Sequence, residues 1–215
     1  MNCGRTVPSI ATGAPRITAV WTPYIVRHHS GESKQTAAAG VVRLGAGNDA
    51  PQKPGEVRNM SQDEQLFFMN EALKLAEKAA ELGEAPAGAV IVYNGEIIAR
   101  GYNTREKDQV ATGHAEIMAI REASKVLGSW RLIDCDLYVT LEPCLMCAGA
   151  IIQARLKRVF FGAFDPKSGM AGSVANVFLL PANHRVEVTG GILEEPCGDI
   201  LRSFFSERRK KTTPE

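Results

Sequence analysis

The pattern of apolar and polar positions divides the chain near residue 60. Upstream, Pro8, Pro15, Pro23, Pro51 and Pro54 interrupt scattered Gly, Ser and Thr, and no helical or strand period is sustained. Such a stretch buries too little apolar surface to offset the entropy of ordering it, so residues 1–59 are expected to be a disordered, dispensable extension. Its arginines (Arg5, Arg16, Arg27, Arg43) loosely match an organelle leader, but the prolines leave no long amphipathic helix, and targeting is the less favoured reading. Residues 60–211 read as one folded domain and 212–215 as a tail.

The folded part opens with Ser61-Gln-Asp-Glu64, a capping box, followed by Leu66, Met69, Leu73, Ala76 and Ala80 at helical steps up to Gly83. Ala89–Tyr93 and Glu96–Arg100 flank Asn94-Gly95, the residues a type I′ hairpin turn requires. A polar loop from Asn103 to Gly113 precedes a helix predicted over His114–Leu127. Asp136–Thr140 is an apolar strand, and Pro143 starts a helix reaching about Arg155. Arg158–Gly162 and Arg185–Thr189 read as strands, separated by a glycine-containing loop and an apolar segment at Val174–Leu180. A last helix is predicted from Pro196 to Arg209. Strands and helices alternating behind a hairpin imply a three-layer α/β fold on a mixed sheet of about five strands.

Composition changes this picture little. The 45% apolar content is that of a water-soluble domain, and no apolar run approaches the ~20 residues needed to span a bilayer, so no membrane role is expected. A net charge of +1 neither favours nor excludes a nucleic-acid partner. Five cysteines, an odd number, with no secretory signal, favour a reducing compartment such as the cytoplasm, and metal-binding thiols over disulfides.

The chemistry sits at two helix starts. Cys144 and Cys147 are three apart in the opening turn behind Pro143, so both sulfurs face one way. The unpaired N–H groups there favour thiolate, the form a metal needs. His114-Ala-Glu116 places two functional residues only two apart, and both can serve one site only at the extreme tip of a helix, with Thr112-Gly113 as cap and approach. One His and two Cys leave the fourth position of a tetrahedral zinc open for water, as in catalytic rather than structural sites. Glu116, beside the metal but outside the ligand set, can then move protons in a hydrolytic deamination.

These motifs bring the chain close to a known family. His114-Ala-Glu-Ile-Met-Ala-Ile, Leu137-Tyr-Val-Thr-Leu-Glu-Pro-Cys-Leu-Met-Cys-Ala-Gly-Ala, Gly88-Ala-Val-Ile-Val, Trp130-Arg-Leu, Val159-Phe-Phe-Gly-Ala and Asn183-His184 together resemble the bacterial tRNA-specific adenosine deaminases of the cytidine deaminase superfamily. The resemblance implies a cytidine-deaminase-like α/β/α fold over 60–211. It also implies a homodimer, one zinc per chain on His114, Cys144 and Cys147, and Glu116 as proton shuttle. It further implies conversion of adenosine to inosine at the wobble position of an arginine tRNA, with hydroxide as the nucleophile. By the same resemblance Asn103 meets the flipped base, and Asp165 and Lys167 lie in a loop used against the anticodon stem-loop. One departure is Val110-Ala-Thr-Gly113, where many members have Asp-Pro-Thr-Ala. Phe204, Phe205 and the basic residues Arg202 and Arg208–Lys211 offer a stacking and phosphate surface, or else an ordinary amphipathic helix end. A deaminase of free nucleosides or bases and a non-enzymatic zinc subunit stay open as alternatives. Cys135 and Cys197 are expected in the core or at the surface, off the metal.

Overall fold

The computed structural model describes residues 60–212; the expected disorder of residues 1–59 and the far end of the tail lie outside the described residues. Five strands form one sheet: β1 (Gly88–Tyr93), β2 (Glu96–Tyr102), β3 (Cys135–Leu141), β4 (Arg158–Ala163) and β5 (Glu187–Thr189). Their spatial order is β2-β1-β3-β4-β5. The pairs β1–β2 and β1–β3 are antiparallel, whereas β3–β4 and β4–β5 are parallel. Asn94 and Gly95, at φ 52° and 79°, make the turn with both central residues left-handed, as a type I′ hairpin demands. The register slips between Ile91 and Val92, which face Ala99 and Ile97, so Ile98 is an extra residue on β2.

Alternation within the apolar strands sends side chains to two cores. Ile91, Leu137, Val139 and Phe161 lie in one core, against α3 (Ala115–Leu127) and α4 (Leu145–Gln153). Val90, Val92, Tyr138 and Phe160 lie in the other, against α1 (Gln62–Glu81) and α5 (Glu194–Thr212). The sheet is therefore sandwiched between helices, the three-layer arrangement expected from the sequence.

The capping box of α1 closes in both directions: Ser61 N–H donates to Glu64 Oε2 at 2.9 Å and Glu64 N–H to Ser61 Oγ at 3.2 Å. The buried face of that helix is Phe68, Met69, Ala72, Ala76 and Ala79, rotated from the stripe of larger residues seen in sequence. Close approach to the sheet explains the rotation. A Cβ on Gly88 would overlap the backbone of Ala72, so alanines rather than leucines fill the contact. Gly101 allows α3 the same proximity on the opposite face. Two further differences from the sequence reading are local. A four-residue helix, α2 (Arg105–Asp108), lies inside the segment read as loop, and α5 starts two residues before Pro196, which the first turn tolerates.

Candidate active site

The C-terminal ends of β2, β3 and β4 and the N-terminal end of β1 meet at one end of the sheet, and the chemical residues gather there. His114 is the residue capping α3 and Cys144 the residue capping α4, both with extended backbones, so each side chain projects from a helix tip. His114 itself takes the cap position anticipated for Thr112. Cys147 lies three residues into the same start as Cys144 and is fully buried.

His114 Nδ1 is 3.7 Å from Cys144 Sγ and 3.6 Å from Cys147 Sγ, and the three donor atoms all lie within 4.8 Å of one another. Tetrahedral zinc, with bonds of ~2.0–2.1 Å to nitrogen and ~2.3 Å to sulfur, separates such atoms by about 3.6 Å. The donor set and its spacing fit the ion. Among the described residues this is the one His, Cys and carboxylate group close enough to hold a metal. Cys135 and Cys197 are free, buried thiols outside it, and burial pushes each up to about 12.

The three donors compete for protons. The Cys147 thiol donates toward Cys144 and, with His114, draws Cys144 down to about 4. The hydrogen bond with Cys144, reinforced by burial, pushes Cys147 far up. The hydrogen bond to Cys144 also raises His114, against the opposing effect of burial. A cation in place of the shared protons relieves this crowding.

Glu116 is 5% exposed, at the second position of α3, with its carboxyl against Cys147. Burial raises its pKa, most strongly of several causes, the direction expected of the proton shuttle read from the sequence. Glu116, His114 and Cys144 line an open cleft of about 320 Å³.

Asn103 lines the cleft too, with its amide already engaged. Oδ1 accepts from the Ala115 N–H at 3.0 Å, and Nδ2 donates to the Ala85 carbonyl at 3.0 Å. It therefore caps the helix that carries Glu116, a role invisible in sequence, and keeps one N–H and one lone pair to spare. Asp165 is on the cleft wall, but Lys167 is exposed beside it and contributes its backbone N–H to Asp165 Oδ1. Phe205 and Arg208, from the far end of α5, complete the rim. Gly113, in the departing segment, packs so tightly that a Cβ would come within 2.9 Å of the Arg105 nitrogen. Two buried carboxylates on the wall, Glu84 and Glu142, were not singled out from sequence. Burial alone would raise Glu142, but hydrogen bonds from Ser173, Asp165 and Ala171 outweigh it and hold the carboxyl below its usual range.

The chain is similar to known proteins in sequence and in fold. Residues 62–209 match the MafB19-like deaminase family. The tRNA-specific adenosine deaminase of Bacillus subtilis (strain 168) is 55% identical over 153 residues, covering 71% of this chain and 94% of its own. The chain belongs to the tRNA-specific adenosine deaminase family. A second member of that family, from Streptococcus pyogenes serotype M18, is 48% identical over 70% of this chain and 96% of its own. A structure solved in a study of A-to-I editing by tRNA:A34 deaminases at the wobble position superposes with TM-score 0.62 at 46% identity, covering 63% of this chain and 99% of that one. Among the described residues no helix is long and apolar enough to cross a membrane.

Proposed function

We propose that this chain hydrolytically deaminates adenosine to inosine at the wobble position of an arginine tRNA anticodon, with one zinc held by His114, Cys144 and Cys147. The observation that carries the reading is a buried carboxylate, Glu116, beside but outside a three-donor metal cluster that opens on a cleft. A closed structural site has no use for such a group. When bound, zinc supplies Lewis acidity that makes the hydroxide form of water available near neutral pH.

The residues of the chain do the rest. A Glu116 carboxylate oxygen takes a proton from the attacking water and delivers it to N1 of the purine as oxygen bonds to C6. It then carries the second proton to the departing amino group; the C6–N bond breaks, ammonia leaves, and the ring keeps a carbonyl at C6. Asn103, held at both ends of its amide, turns its remaining N–H or lone pair to the base edge. Asp165 and Lys167 meet the neighbouring anticodon nucleotides, and Phe205 and Arg208 offer a ring and a charge at the rim. A tRNA substrate and thiols kept out of disulfides support the cytoplasm as the location we assign to it.

The deciding experiment is incubation of the purified protein with an arginine-tRNA anticodon stem-loop, scored for inosine by mass. Inosine at the wobble position alone is expected. Turnover of free nucleosides or bases with none on the stem-loop overturns the RNA reading.

The outer face of α4 supports a homodimer. Leu145 is 61% exposed, and a Cβ on Gly149 would meet nothing. The 3-10 turn Val177–Leu179 adjoins α4 and adds Leu179 and Leu180, 81% and 61% exposed. Apolar side chains grouped this way are characteristic of a covered surface. Light scattering at micromolar concentration is expected to give the mass of two chains, and Leu179→Glu to shift it toward one. A monomeric wild type ends the proposal.

A further inference from the structure

Neither Glu84 nor Glu142 takes part in the chemistry above, yet the two are only 1% and 2% exposed on the wall of the cleft. A buried carboxylate is costly unless its charge is met. No cation among the described residues pairs with either. Backbone N–H groups meet them instead, each set drawn from a loop about twenty or more residues away. Glu84 accepts from Glu106 N–H at 3.1 Å and Lys107 N–H at 2.7 Å, at the start of α2. Glu142 accepts from Asp165 N–H at 3.0 Å, Ala171 N–H at 2.8 Å and Ser173 N–H at 3.1 Å, and from the Ser173 hydroxyl.

The topology gives these bonds a direction. Glu84 leads into β1 and Glu142 leaves β3, the adjacent strands at the middle of the site. Their loops follow β2 and β4, the strands on either side, and form the two walls of the cleft. One loop ends at His114; the other carries Asp165 and docks on the helix tip through Met170 N–H to the Pro143 carbonyl at 2.9 Å. Apolar packing does not hold the first wall, since α2 buries no residue of its own. On the second, Gly169 lies so close that a Cβ would overlap the Glu142 carboxylate.

We infer that Glu84 and Glu142 are positioning residues that fix the two walls of the cleft at the separation required by a base carried on RNA, without touching the base or the metal. A free base needs only the floor of the cleft, whereas a base on a polynucleotide brings flanking nucleotides against both walls. The carboxylates therefore govern capture of the RNA and leave the chemical step alone. The inference rests on the RNA reading for its substrate and on the hydrogen bonds for its mechanism, and the two are tested separately.

Zinc-loaded Glu84→Gln and Glu142→Gln are compared with wild type on the stem-loop. KM is expected to rise about tenfold, the effect of losing a hydrogen bond to a charged group, with kcat within about twofold and zinc content unchanged. Ser173→Ala, which keeps the carboxylate and removes one donor, gives a smaller rise and serves if Glu142→Gln fails to fold. Amide exchange is measured on the same proteins, and residues 105–108 or 165–173 are expected to exchange faster in the matching variant. A fall in kcat at constant KM, or an unchanged KM, overturns the inference. If wild type does not act on the stem-loop, the RNA reading fails, and exchange alone decides the hold: unchanged protection in the variants overturns it.

Discussion

Glu116→Gln is expected to keep its zinc and lose deamination by about 10²-fold to 10⁴-fold or more, the usual contribution of a general acid–base. The carboxamide fills the same space at the second position of α3, so His114 and the helix tip stay where they are. What disappears is a group able to accept a proton and return it twice in one turnover. The isostere also keeps the shape of a side chain that is almost fully buried, so the zinc-loaded variant should melt close to wild type. Single-turnover inosine formation and elemental analysis on one preparation make the test. A zinc-loaded variant that retains a substantial fraction of wild-type turnover removes Glu116 from the role.

Cys147→Ala, Cys144→Ala and His114→Ala are each expected to bring zinc from about one per chain to below about a tenth and activity to background. Two remaining donors cannot hold the ion against water and buffer. The loss should extend to stability, because a ligand that binds only the folded state stabilises it in proportion to its saturation. Chelation should therefore lower the melting temperature of wild type but leave the Cys147→Ala protein unmoved. Cys135→Ala and Cys197→Ala provide the contrast: both thiols are buried away from the cluster, and both variants should stay zinc-loaded. Metal retained without Cys144 or Cys147, or lost without Cys135, would falsify the ligand assignment.

Much of this architecture is legible in the sequence because its punctuation is local. Ser61 and Glu64, Asn94 and Gly95, and Pro143 each specify a start or a turn by chemistry confined to a few residues. The convergence of His114, Glu116, Cys144 and Cys147 is legible for a related reason: residues three apart share one helix face, and residues two apart serve a common point only at a helix tip. What escaped depended on partners remote in the chain. The second role of Asn103 exists only because β2 ends beside the start of α3. Glu84 and Glu142 look like ordinary loop acids until the fold places N–H groups around them. An acid wedged between Leu141 and Pro143, directly before the Cys144 and Cys147 pair, is the available hint. The rotated face of α1 is hidden for another reason: Gly88 on the strand beneath decides how near the helix lies, and the helix's own periodicity does not report it.

The extra residue Ile98 has a meaning beyond the hairpin. Among the described residues β2 and β5 are the outermost strands, where unpaired backbone groups could recruit a strand from another molecule. On one side the bulge breaks the regular ladder and charged Glu96 and Arg100 flank it; on the other, β5 is only three residues long. Neither border offers a long, flat template for strand addition. Self-association by sheet extension is thereby discouraged, and the homodimer proposed above would have to form through helical surface, where side-chain shape rather than backbone hydrogen bonding selects the partner.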